Sequence, residues 1–176
     1  HGASPDCGLG FLAGLLGVAE SDVSGEGLGP ALTRAEDMLG ASGTDLVCAA
    51  STPRPLLGLD SVLAVRPDLD PIEEQDTELT GALTQAFAHR PLRRRQLLGG
   101  QAAHPARAFG SGAGGGVGAV IAAIGGRIAP TADFLADLLN VDDALKDADL
   151  LVVVEPELAS PLLATSTLDA LTRAAG

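Results

Sequence analysis

The sequence predicts an α/β fold with more helix than strand, and three observations carry that reading. Short apolar runs at residues 46–50, 61–65 and 150–154 have the length and β-branched content of buried strands. The longer segments between them place apolar residues three and four apart, as core-facing helices do. A run of glycines at residues 110–118 leads directly into an apolar stretch at 119–124, the pattern of a tight turn feeding a buried helix. With 46% apolar residues among 176, the chain is long enough for a single domain with a real core. One unit over residues 1–176 is therefore expected, with residues 90–110 as a flexible connection inside it.

In chain order, Ser4 and Pro5 stand as N-cap and first residue of an opening helix, with Asp6 in its first turn and Gly17 at its end. Residues 21–29 form a polar loop. Pro30 opens a second helix on which Leu32, Ala35 and Leu39 share a face before Gly40 ends it. The strand at 46–50 follows, and residues 51–55 form the loop at its carboxyl end, where ligands sit in open α/β sheets. Residues 61–65 are a second strand candidate. Asp70, Pro71 and Glu73 give the N-cap, first-position proline and acidic first turn of a helix start. Ile72, Leu79, Leu83, Ala86 and Phe87 give that helix one apolar face, up to Pro91.

Residues 127–130 lead into a helix carrying Phe134, Leu135, Leu138 and Leu139, and Asp142 and Asp143 cap a short one running through Leu145 and Ala148. Three consecutive valines make 150–154 the strongest strand pattern in the chain. Ser160 and Pro161 open a closing helix through Leu163, Leu168 and Leu171.

The glycine run supports two readings. Amides at the start of the following helix would point back at the loop and hold an anion. Alternatively, the glycines only allow close packing of backbone on backbone. Gly110, Gly112 and Gly115 fit a dinucleotide fingerprint, but residues 107–109 make a poor preceding strand, and 23 glycines make such matches common. A P-loop is excluded because no Lys-Ser or Lys-Thr follows; Lys146 is the only lysine.

Composition excludes several classes of function. Four Phe, no Tyr and no Trp leave nothing to stack on bases, and a net charge of −12 repels phosphate backbones and anionic lipid. Nucleic acid and membrane are not expected as partners. No apolar run reaches the length of a membrane span and no signal segment opens the chain, so a cytoplasmic protein is expected. The start at His1-Gly2 suggests a tag remnant or an excised piece. The sparse Lys beside Arg suggests a GC-rich bacterial source. Cys7 and Cys48 read as reduced thiols in or near the core. His1, His89 and His104 are scattered, no metal-ligand spacing occurs and no G-x-S-x-G is present. The basic residues at 90–95, with Arg107, read as a solvated linker in preference to a phosphate grip.

Four pieces together resemble the glycerate kinase family. Residues 114–149, GGGVGAVIAAIGGRIAPTADFLADLLNVDDALKDAD, are similar to its central block. Residues 2–10, GASPDCGLG, are similar to its G-S-A-T-N-D-G-G-x-G segment, and residues 51–58, STPRPLLG, to its D-V-T-N-P-L-L-G loop. The strand end at 153–159 aligns with its T-G-E-G-R-L-D. The resemblance implies a parallel-sheet lobe of a two-part kinase that phosphorylates D-glycerate with ATP and Mg²⁺. It places Asp6 and Glu155 as catalytic candidates, and Gly8, Ser51, Arg54, Gly112, Gly114, Gly115 and Gly116 as ligand-binding ones.

The family's opening segment, with its D-S-F-K-G lysine, and its closing segment have no counterpart here. Within the matched pieces, Ser51 replaces Asp and Arg54 replaces Asn; Glu157 and Ala159 stand where the family has Arg and Asp. Exchanging a cation for an anion beside a polyphosphate is unfavourable by several kcal/mol at roughly 4 Å if desolvated. The expectation is a non-catalytic binding or regulatory module, a pseudoenzyme lobe working with a protein partner or a second kinase lobe. The alternative is a glycerate kinase or an excised domain of one.

Overall fold

The computed structural model describes residues 6–63, 74–88, 90, 104–146, 148–154 and 167–175. Helix α1, Leu9–Leu16, begins later than the sequence suggests. Cys7 (φ 54°) and Gly8 (φ 85°) are left-handed and cannot be helical, so Asp6 lies before the helix and not in its first turn. Its carboxylate accepts from the N–H groups of Gly8 (3.0 Å) and Gly10 (2.8 Å), tying down the start of the helix. Gly17 ends α1 as expected. Ser4 and Pro5 lie outside the described residues.

Two 3-10 turns, Glu20–Val23 and Gly25–Gly27, fill the expected polar loop. Helix α2, Leu28–Ser42, starts two residues before Pro30 and runs through Gly40. The chain leaves the helix at Gly43, the residue with positive φ (67°), where the Thr44 N–H bonds back to the Leu39 carbonyl at 3.2 Å. Leu32, Ala35 and Leu39 form the buried face that the spacing predicts.

Strand β1 is Val47–Ala50, helix α3 is Glu74–Ala88, helix α4 is Val117–Ala123 and strand β2 is Arg127–Pro130. β1 and β2 pair in parallel, with Val47 opposite Arg127 and Ala50 opposite Pro130. The sequence reading missed β2, whose four residues begin with a charge and end in proline. Leu12, Val23, Leu28, Leu32, Leu83, Phe87 and Val120 are fully buried and belong to one core shared by α1, α2, α3 and α4. Asp70, Pro71, Ile72 and the Leu79 side chain lie outside the described residues.

The other two expected strands are absent among the described residues. Ser61 to Leu63 form a turn, because the Ser61 N–H bonds to Gly58 O (3.2 Å) and the Val62 N–H to Pro55 O (2.9 Å), which leaves neither amide for a ladder. Ala64 and Val65 lie outside the described residues. Leu150 to Val154 run without regular structure, with Leu150, Val152 and Val154 exposed. An apolar run becomes a strand only when another strand lies beside it, and none does among the described residues.

Helix α5, Thr131–Leu138, follows β2 directly; its apolar residues Leu135 and Leu138, and Leu139 after it, are exposed. Helix α6, Val141–Leu145, is N-capped by left-handed Asn140 (φ 52°), so Asp142 and Asp143 occupy its first turn instead of capping it, and it stops before Ala148. Lys146 and Asn140 bond to the Asp143 carboxylate and hold it below the usual carboxylate range. Helix α7, Thr167–Ala175, carries Leu168 and Leu171 and joins α5 through Arg173 to Asp133 at 2.7 Å. Ser160, Pro161 and Leu163 lie outside the described residues. No helix among the described residues is long and apolar enough to cross a membrane.

One expectation about the basic segment needs correction. Arg90 is not solvated: its guanidinium meets Glu36 at 3.2 Å and donates to the carbonyls of Ala123 (3.3 Å) and Gly29 (3.4 Å) and to the Thr33 hydroxyl. Further along, the 3-10 turn Pro105–Arg107 has Pro105 and Ala106 buried. Arg93, Arg94 and Arg95 lie outside the described residues. Cys7 and Cys48 are thiols outside any disulfide, buried and half-buried, as expected; burial pushes the Cys48 thiol up and so disfavours its thiolate.

Candidate functional site

The glycine turn lies on the parallel strand pair. A methyl carbon added to Gly110 would stand 2.7 Å from Ala50 Cβ on β1 and 2.9 Å from Ile128 Cγ2 on β2. Only a residue without a side chain can approach the sheet so closely. The loop after β1 runs alongside, and the two are joined amide to carbonyl: Gly110 N–H to Pro53 O (3.0 Å) and Gly112 N–H to Arg54 O (3.1 Å).

Ser111 completes this junction. Its fully buried hydroxyl accepts from the Leu56 N–H and donates to the Ala106 carbonyl, both at 2.9 Å, and the same carbonyl accepts from the Leu57 N–H at 2.8 Å. Sequence reasoning passed over Ser111; the available signal was a lone hydroxyl in a run of glycine and alanine. Replacing it with alanine strands a buried amide and weakens a buried carbonyl, so Ser111→Ala is expected to lose about 2 kcal/mol in urea unfolding.

The opening segment closes the other side. Gly8 and Gly116 pack backbone to backbone, and a methyl carbon on Gly8 would stand 2.9 Å from the Gly116 carbonyl carbon. Gly114, Gly115 and Gly116 are all left-handed, with φ of 61°, 69° and 119°. Asp6, Gly8, Arg54, Gly112, Gly114, Gly115 and Gly116 therefore come together around one turn. Ser51 is exposed immediately beyond β1. Glu155 lies outside the described residues.

The chemistry available at this turn is limited. Ala113 N–H bonds to Gly110 O (3.0 Å), Gly115 N–H to Gly112 O (3.1 Å) and Ala119 N–H to Ser111 O (2.9 Å), so these amides are turned inward. Both Asp6 carboxylate oxygens cap the start of α1. Arg54 Nη1 donates to the Asp60 carbonyl at 3.2 Å. No group of three or more His, Cys, Asp or Glu able to hold a metal ion occurs among the described residues. Chain atoms fill the space beside Gly8, Gly110, Gly112, Gly116 and Gly118. Gly8, Gly110, Gly112, Gly116 and Gly118 thus serve close packing.

A model of the glycerate kinase family matches residues 2–160 of the chain. No curated protein and no solved structure matches it.

Proposed function

The chain belongs to the glycerate kinase family, and within that family we propose that it is a binding or regulatory module. It would work with a protein partner or a second lobe and does not transfer phosphate by itself. The inward bonding of the glycine turn carries this reading. Gly110, Gly112, Ala113 and Gly115 give their N–H groups to chain carbonyls, which leaves a triphosphate few of the donors that phosphoryl transfer depends on. The residue exchanges support the same reading: Ser51 removes a carboxylate from the adjoining loop, and Arg54 replaces an amide with a cation that bonds to Asp60 O.

Thermal unfolding with millimolar ATP and Mg²⁺ tests the proposal. A ligand at about 100 times its Kd adds about 2.7 kcal/mol, or roughly 5–10 °C in Tm for a chain of this size. The expected result is a Tm equal to that with Mg²⁺ alone. A shift of several degrees would overturn the proposal and restore the kinase alternative.

A further inference from the structure

The turn at residues 104–107 couples an imidazole to both loops of the candidate site. His104 is the N-cap of Pro105–Arg107: its Nδ1 accepts from the Ala106 N–H at 3.3 Å, and its Nε2 lies 3.1 Å from the Thr84 carbonyl oxygen on α3. An amide N–H only donates and a carbonyl only accepts, so these two bonds require the neutral ring with its proton on Nε2. The ring stands edge-on to buried Phe87, with centroids 6.2 Å apart. Ala106 then passes the connection on, because its carbonyl holds both Leu57 N–H and the Ser111 hydroxyl.

A second proton, on Nδ1, would set one donor against another. No anion stands by to compensate among the described residues. Neither α4 nor the described side chains of α3, residues 81–88, carry a charge, and nor do residues 55–58 of the facing loop. The turn's own charged residue, Arg107, is a cation and is exposed. We propose that His104 is a proton-sensitive latch: the neutral ring holds the 105–107 turn and, through Ala106 and Ser111, clamps the loop after β1 to the glycine turn, whereas protonation loosens both. The latch acts on loop geometry and does not depend on which ligand the loops take.

Amide hydrogen exchange of the full chain tests the latch, with each rate divided by its unstructured rate at the same pH. Between about pH 7.5 and about pH 5, protection at Leu56, Leu57 and Ala106 is expected to fall about fivefold, the size of a lost N-cap bond, while Leu32 in the core holds. In His104→Asn the side chain keeps an N-cap acceptor that does not titrate, so the same amides are expected to show no such fall. Undiminished protection in the wild type at the lower pH, or a matching fall in the Asn variant, would overturn the latch. If the variant does not fold, ring nitrogen shifts of wild-type His104 decide. The proton is expected on Nε2 at about pH 7.5, and a neutral ring protonated on Nδ1 contradicts the proposal.

Discussion

Gly116→Ala is expected to destabilise the chain by about 4 kcal/mol, lowering Tm by roughly 10 °C. Two causes add. At φ 119° the backbone is in a region that side chains rarely adopt, and a methyl carbon there would stand 2.5 Å from the Cys7 carbonyl carbon and 2.6 Å from its oxygen. These are backbone atoms held by the Asp6 turn, so they cannot swing aside as a flexible side chain would. Gly114→Ala is the control. Gly114 is exposed at φ 61°, with Val117 Cβ 3.2 Å from the added carbon, so only about 1–2 kcal/mol is expected. Equal losses at the two positions would show that Gly116 does not serve close packing.

Arg90→Ala is expected to cost about 2–3 kcal/mol in urea unfolding, as a lower midpoint with an unchanged slope. The Arg90 side chain, 14% exposed, ties α2 to the end of α4, and its removal leaves Glu36, 33% exposed, without that partner. The value sits below the range for a fully buried pair because Glu36 remains partly solvated. Arg173→Ala removes two ion pairs, to Asp133 and Asp169, whose arginine is 58% exposed, and a much smaller loss is expected there. A loss at Arg90 no larger than that at Arg173 would return Arg90 to the solvated linker that its basic neighbours suggest.

The sequence revealed those features that are set by neighbours in the chain. The buried face of α2 follows from the spacing of Leu32, Ala35 and Leu39, the strand at Val47 to Ala50 from a short apolar run, and the turn into α4 from consecutive glycines. Strand pairing was less legible, because it depends on what lies alongside. Arg127 to Pro130 become a strand because β1 offers a parallel edge, while the more β-like Leu150 to Val154 have no strand beside them among the described residues. Composition likewise could not distinguish a solvated arginine from Arg90, whose guanidinium finds its partners at least 33 residues away in the chain. The resemblance located the candidate site, but the role of Ser111 there emerged only once two loops distant in sequence were seen joined.

Phosphorus NMR of the purified chain incubated with ATP, Mg²⁺ and D-glycerate shows whether this chain alone transfers phosphate. ATP is expected to be consumed no faster with glycerate than without it, with no phosphoglycerate resonance. A glycerate-dependent phosphoglycerate signal that disappears in Asp6→Asn would contradict that expectation and make this chain a working kinase.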